Sequence, residues 1–401
     1  MLGRVFKAFQ YRNFRLMWAG ACTSSVGTWM QKVAQSWLVL QISGSPFLLG
    51  LDAFLGEIPI FLFSLAGGVI ADRMDRRWLL LGSQAVQMTC AFLLAGLIAF
   101  DVVRVWHILT LSFIVGLVQA FGGPAYQALI PSLVEPEDLS NAIALNSIQF
   151  NLARIIGPVL GGLALTGLGA AWCFALNGLS FIAVIVSLAL LEIRFVPQWS
   201  NASFVASIQE GIAFIRRQGA MESLIALAFL MTMLGIPMIT FLPVFAKDVF
   251  RGGPNTFTLL LSVSGAGSVA GALIVAGLGN LAHKGRIMLI MLMVLGAATS
   301  GFALSRSLAA SCLLVFLCGA ALISVFSLVS SLVQLITTHE MRGRVMSVYN
   351  VAFRGGMPFG SLITGWLTPV LAVPSVVAVN GVALILIGGY FLIFQRRVAA
   401  L

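Results

Sequence analysis

Short polar segments divide the chain into twelve apolar stretches, each long enough to cross a membrane as a helix. A helix rises about 1.5 Å per residue, so roughly 30 Å of hydrocarbon requires about 20 residues. Hydrophobic residues make up 60% of the chain and charged residues only 9%, which excludes an ordinary soluble domain. The sequence predicts an all-α membrane protein with helices near 14–41, 46–71, 78–100, 106–130, 139–165, 170–191, 220–246, 256–281, 287–305, 308–335, 344–370 and 374–394.

The positive charge of the chain is distributed unevenly along the sequence. Most of the 23 Lys and Arg residues lie in the N-terminal arm, in alternate loops and in the C-terminal tail, which all fall on one predicted side. The positive-inside rule places that side, with both termini, in the cytoplasm. We therefore interpret the net charge of +10 as topology and contact with anionic lipid, and not as a nucleic-acid surface.

The sequence lacks the residue patterns of a metal centre or a catalytic site. The five cysteines lie within apolar stretches and have no metal-ligand spacing. The three histidines, His107, His283 and His339, lie near predicted loops, which disfavours a metal cluster or a catalytic triad. Because there is also no Walker-type phosphate loop, we expect no enzyme activity, metal or cofactor, and a gradient as the energy source.

Charged residues inside the apolar stretches are the first candidates for function. Lys32 in the first span and Glu57 in the second are predicted to lie at similar depth, and Asp52 lies about one and a half turns further out. One interpretation is a Lys32–Glu57 ion pair that only neutralises two buried charges. The other is a protonatable site, because a desolvated carboxylate can titrate in the working range. Glu57, Asp52 and Lys32 are therefore the proton-coupling candidates.

An arginine that precedes a proline by four residues occurs twice in apolar surroundings. Arg154 and Pro158 lie in NLARIIGPVLGG, and Arg354 and Pro358 recur 200 positions later. Intramembrane arginines usually face a polar cavity, so both are predicted to line one central cavity. The alternative for each is a structural bond to backbone carbonyls or to Glu57. The substrate-cavity candidates are Gln31, Asn151, Arg154, Asn350 and Arg354.

The segment GGVIADRMDRR between the second and third spans resembles motif A of the major facilitator superfamily, Gly-x-x-x-Asp-Arg-x-Gly-Arg-Arg/Lys. Asp75 stands where the motif has its second glycine. The resemblance implies the fold of this superfamily: twelve transmembrane helices in two pseudo-symmetric six-helix bundles. The matching residues are Gly68, Asp72, Arg73, Arg76 and Arg77.

The resemblance also implies a cytoplasmic gate. In the outward-facing state the carboxylate of Asp72 is expected to dock at the start of the eleventh span, where helix amides favour an anion. Arg342 and Arg344 lie at that position and complete the gate motif.

The fifth span resembles motif C, which this superfamily associates with exporters and antiporters. Its matching residues are Gly157, Pro158, Gly161 and Gly162; the upstream glycines of the motif are absent. The segments YRNFRLMWAG, SVGTWMQ and LPVFAKDVF are similar to transmembrane secretion effectors near the enterobactin-exporter and macrolide-efflux branches.

These resemblances imply a proton-coupled secondary exporter of an amphipathic small molecule, such as a siderophore, a drug or a lipid-like compound. It is expected to work as a monomer in a bacterial inner membrane. The alternatives are uptake of an organic anion, or a lipid-translocating or accessory membrane subunit.

The chain is predicted to divide at a polar linker between the sixth and seventh spans. Within this linker FVASIQEGIAFIRR has the spacing of an amphipathic surface helix. DLSNA is predicted to start the fifth span, with Asp138 or Ser140 as its N-cap. The predicted domains are an arm at 1–13, helix bundles at 14–191 and 220–395, the linker at 192–219 and a tail at 396–401.

Overall fold

The computed structural model describes residues 6–192, 204–278, 283–338 and 340–401, and these are almost entirely helical. Twelve long helices and one shorter helix, α7, occur in these ranges, besides helical segments of three to five residues. They are α1 Arg12–Ser43, α2 Pro46–Arg73, α3 Arg76–Ala99, α4 Val105–Leu129, α5 Leu139–Gly167, α6 Ala170–Ala189, α7 Phe204–Arg217, α8 Gly219–Thr240, α9 Pro254–Leu278, α10 Lys284–Leu304, α11 Leu308–Ile336, α12 Arg342–Leu367 and α13 Val373–Ile393.

The predicted number of long helices is confirmed for the described part of the chain. Ten of the twelve are both long and apolar enough to cross a membrane. The other two, α1 and α12, are equally long but carry more polar residues, including several of the predicted site residues. The remaining predicted site residues lie on helices that are apolar enough to span, chiefly α2 and α5.

The chain divides into two compact units, Met1–Ser43 with Ile58–Ser200, and Gly44–Glu57 with Asn201–Leu401. In the first unit α1 packs on α5 and α6, and α3 packs on α4 and α6. In the second unit α8 packs on α12 and α13, and α10 packs on α11 and α13. These four pairings correspond one to one between the units, as expected for an internal repeat. The predicted domain limits themselves stay a prediction.

The N-terminal arm binds the start of α5 through one carboxylate. Asp138 accepts hydrogen bonds from Tyr11 Oη at 2.8 Å and Gln10 Nε2 at 3.0 Å, and its Oδ1 lies 2.8 Å from Lys7 Nζ. The hydrogen bond to Asp138 raises the pKa of Lys7. Asp138 occupies the N-cap position of α5 but makes no side-chain bond to the helix amides, so its predicted capping role is wrong. Its carboxylate is already bound to the arm.

The predicted amphipathic linker helix is present as α7. It packs against the start of α12, where Glu210 forms an ion pair with Arg344 Nη1. A Cβ at Gly211 would lie only 3.1 Å from the Arg344 carbonyl oxygen, so the two helices approach closely at this point. The part of the predicted linker at 193–203 and residues 1–5 of the predicted arm lie outside the described residues.

Candidate functional site

The glycines of the exporter-type motif form the contact between α5 and α1. A Cβ at Gly157 would lie 2.4 Å from the Cβ of Trp29, and a Cβ at Gly161 would lie 3.0 Å from the Met30 carbonyl oxygen. Glycines four residues apart share one helix face and let two backbones pack closely in a membrane. This contact holds Trp29 against the turn of α5 that carries Arg154.

Two cations approach the indole ring of Trp29. The Nζ of Lys32 lies 5.1 Å from the ring centroid, and the Cζ of Arg154 lies 5.8 Å from it. The Phe150 ring lies 6.3 Å from the indole in an edge-on orientation. We refer to Trp29, Lys32, Phe150 and Arg154 as the indole cluster. The sequence singled out both cations but missed Trp29, whose position one turn before Lys32 on the same helix was the available signal.

Two other predicted cavity residues use their side chains within the first unit. The carbonyl oxygen of the Gln31 side chain accepts a hydrogen bond from Asn177 of α6, which is only 2% exposed. The amide of Asn151 donates to the Ser147 carbonyl of its own helix at 2.8 Å. Gln31 therefore lies at the α1–α6 interface, and its predicted contact with substrate stays a prediction.

The beginning of α2 runs antiparallel along α12 inside the second unit. A Cβ at Gly50 would lie 2.5 Å from the Ser361 carbonyl oxygen, and the Phe54 and Phe359 rings are 6.2 Å apart. We call these facing segments, 47–57 and 354–365, the α2–α12 contact. The closeness of the backbones at Gly50 makes it a specific helix–helix interface.

Glu57 and Arg354 form an ion pair at one end of the α2–α12 contact. The Oε2 of Glu57 is 3.8 Å from Nη1 of Arg354, and the side chains are 29% and 46% exposed. Pairing with Glu57 is the alternative that the sequence left open for Arg354. The predicted pairing of Glu57 with Lys32, and a shared cavity for Arg154 and Arg354, stay predictions. Asp52, one and a half turns earlier on α2, is 7% exposed.

The second unit has its own glycine contact, between α12 and α8. A Cβ at Gly356 would lie 2.3 Å from the Phe229 carbonyl oxygen, and one at Gly360 would lie 2.0 Å from that of Met233. Arg354 precedes the first of these glycines by two residues. The corresponding arginine of α5, Arg154, precedes Gly157 by three. One residue corresponds to about 100° of rotation around the helix axis. The side chains of the two arginines therefore point in different directions relative to the helix face that carries the contacting glycines.

The motif between α2 and α3 is held together by its own charges. Arg76 donates to the Ala128 carbonyl at 2.9 Å and lies 3.4 Å from Asp72 Oδ1. Asp75, which replaces the second glycine of the motif, caps α3 by accepting a bond from the Arg77 amide at 2.9 Å. Capping by aspartate stabilises a helix start and explains how the departure from the motif is accommodated. Gly68 and Arg73 lie on the last turns of α2.

The start of α12 carries the other two gate residues. Arg344 is bound to Glu210, as described above. Arg342 lines an open concavity of about 450 Å³ together with the α11 residues Ser327, Ser330 and Gln334. Asn350 lies two turns further along α12 and is exposed. The predicted docking of Asp72 at this helix start stays a prediction.

Two like-paired units of membrane helices, with charges inside them, define a transporter of the major facilitator type. The chain belongs to the transmembrane secretion effector family of that superfamily, whose profile matches residues 4–400. It is 27% identical to the enterobactin exporter of Salmonella typhimurium over 94% of this chain and 90% of that protein. It is 24% identical to the staphyloferrin A transporter of Staphylococcus aureus over 93% of this chain and 94% of that protein. It is also 24% identical to the macrolide efflux protein A of Streptococcus pyogenes, over 70% of this chain and 71% of that protein.

Solved structures support the same fold at lower sequence identity. The nucleoside transporter NupG superposes with a TM-score of 0.78 at 13% identity, covering 95% of this chain and 98% of that one. A bacterial homologue of the human lysosomal transporter Spinster, in an inward-facing conformation, has a TM-score of 0.73 at 15% identity. The superposition covers 96% of this chain and 97% of that one. At these identities the likeness establishes the fold alone. The protein is thus a multi-pass membrane transporter of small molecules.

Proposed function

We propose that this protein is a proton-coupled secondary exporter that moves an amphipathic small molecule by alternating access. Family membership supports transport, and the relatives named above are described as exporters, transporters or efflux proteins of siderophores and macrolides. The proposed substrate therefore belongs to the class of siderophores, drugs and lipid-like compounds.

The observation that supports proton coupling is the Glu57–Arg354 ion pair in the α2–α12 contact. Glu57 is a carboxylate in a membrane helix, and its charge helps to hold two helices together. Taking up a proton would neutralise the carboxylate and remove its attraction to Arg354. The segments of α2 and α12 could then separate, and loss of the proton would let the ion pair form again.

The sequence of steps follows from the proposed topology, in which both termini are cytoplasmic and α2 begins on the outer side. Glu57 takes up a proton from outside as the α2–α12 contact opens, and substrate leaves through the same opening. When the contact closes, the carboxylate again faces Arg354, and the proton leaves to the cytoplasm. One proton therefore enters for each outward movement of substrate. We propose that a single chain does this in the bacterial inner membrane.

Proteoliposomes with an imposed pH gradient test this function directly. Enterobactin, a siderophore, is the probe, because one relative is named as an enterobactin exporter. Wild type should accumulate the probe only when the gradient is imposed, and Glu57→Gln should lose that dependence. Glu192→Gln is the matched control, because Glu192 lies outside the α2–α12 contact and its side chain is 81% exposed.

Two results would count against the proposal. A wild type that ignores the gradient would refute proton coupling. A Glu57→Gln variant with full gradient-driven accumulation would remove Glu57 from the coupling role. If enterobactin alone is not moved, the assay is repeated with staphyloferrin A, the siderophore for which another relative is named.

A further inference from the structure

The two cations of the indole cluster have no carboxylate partner within the first unit. Lys32 and Arg154 form no ion pair with any described residue of that unit. Its described acidic residues all lie at helix ends or in connections, and not in the middle of a membrane helix. They are Asp72, Asp75, Asp101, Glu135, Glu137, Asp138 and Glu192. Cations inside hydrocarbon are costly unless they are paired or hydrated, so each of these two cations needs water or a partner other than a carboxylate of its own unit.

The indole of Trp29 meets that need only in part. A cation near an aromatic face is attracted by the ring quadrupole, and both cations lie within the distance at which this attraction operates. The attraction is weaker than that of a directly bonded anion in the same environment. A second ring, Phe150, belongs to the same cluster and is 52% exposed. The cluster therefore offers positive charge and accessible aromatic surface together.

We infer that the indole cluster binds a negatively charged group carried on an aromatic body, such as an aryl carboxylate, within the transported molecule. This inference rests on the proposed function, because it names the chemical class of the proposed substrate. The anionic group bonds to Lys32 and Arg154, and the attached ring packs against Trp29 and Phe150. A neutral amphiphile of the same shape would leave both cations uncompensated.

The glycine contact explains how the site is built. Gly157 brings the α5 backbone against Trp29, with Arg154 one turn earlier on the same helix. Lys32 follows Trp29 by one turn of α1, so its amine reaches the same ring. Close packing at one glycine therefore places a cation from each of two helices beside one indole.

Equilibrium dialysis of the full-length protein in phosphatidylcholine nanodiscs tests the inference without any gradient. The probes are 2-naphthoate and the neutral 2-naphthamide, which have the same ring system and similar size. Wild type should bind naphthoate about tenfold more tightly than naphthamide, a difference of about 1.4 kcal/mol. Lys32→Gln and Arg154→Gln should each reduce this preference. Arg104→Gln, at an exposed helix start of the same unit, should keep it.

The outcomes separate binding from transport and solute from lipid. Equal wild-type affinities for the two probes, or an unchanged preference in Lys32→Gln, would overturn the inference. If Arg154→Gln does not fold, the exposed Lys32 still carries the test. Loss of the preference when phosphatidylglycerol is added to the nanodiscs would assign the cluster to anionic lipid and also overturn it. If naphthoate does not bind but gradient-driven efflux persists, the inference fails and the proposed function stands. If naphthoate binds as expected but there is no gradient-driven efflux, only the proposed function is refuted.

Discussion

Replacing Glu57 by glutamine should weaken the α2–α12 contact by an amount that the ion-pair geometry sets. At 3.8 Å and an effective dielectric constant of about 20, the attraction between the charges is about 4 kcal/mol. The side chains are 29% and 46% exposed and the atoms lie beyond hydrogen-bond distance, so desolvation and side-chain ordering offset most of it. We expect about 1 kcal/mol to remain, which corresponds to an approximately fivefold change in the open population.

Cysteine labelling measures this change. The reporter is Phe54→Cys, which faces Phe359 in the contact, in a background where the five native cysteines are replaced. A membrane-impermeant maleimide applied from outside should label it about fivefold faster in Glu57→Gln than in the parent.

A double-mutant cycle decides whether the ion pair is responsible. Arg354→Gln should accelerate labelling as much as Glu57→Gln, and the double variant should be no faster than either single variant. The charge-reversed pair, Glu57→Arg with Arg354→Glu, should restore slow labelling, whereas Glu192→Gln should have no effect. Additive effects of the two single substitutions, or unchanged labelling in both, would refute the role given to the pair.

Three further substitutions test how the first unit is held together. Asp138→Ala should lower the melting temperature by several degrees in a detergent thermal-shift assay, because Tyr11 loses its hydrogen-bond acceptor. An unchanged melting temperature would show that the arm contributes nothing to stability. Asp75→Ala should cost about 1 kcal/mol by removing the α3 cap, while Asp75→Ser should cost clearly less. Gly161→Val should destabilise the protein by about 1–3 kcal/mol through overpacking, and Gly167→Val, where no atom lies within 4 Å, is the matched control.

The helical architecture followed from the sequence because each helix is specified locally. A stretch of about 20 apolar residues has few options in a membrane other than a helix, so the number and positions of the spans could be read directly. The linker helix was equally predictable, because FVASIQEGIAFIRR carries its own amphipathic period and forms α7. The role of Asp138 could not be predicted, because its partners are about 130 residues away in the chain. These partners are Lys7, Gln10 and Tyr11.

The site was only partly predictable, because counting residues gives depth in the membrane and not direction around a helix. Depth alone put Glu57 and Lys32 at one level, and it could not show which neighbours each side chain meets within its own unit. The structure places Arg354 beside Glu57, and it places Lys32 beside Trp29. Direction depends on which face of each helix packs against its neighbour, and that is set by glycine contacts formed only in the folded protein.

The two arginines show how a repeat in the sequence can hide a difference in surroundings. Arg154 and Arg354 have the same spacing to a proline, which suggests equivalent positions in two copies of one unit. The glycines that actually touch the neighbouring helix do not keep that spacing, because Gly157 and Gly356 differ in their distance from the arginines by one residue. A rotation of about 100° sends one guanidinium toward an indole and lets the other reach a carboxylate. Within its own unit the first arginine therefore lies beside an aromatic ring with no carboxylate bound to it, while the second lies 3.8 Å from Glu57.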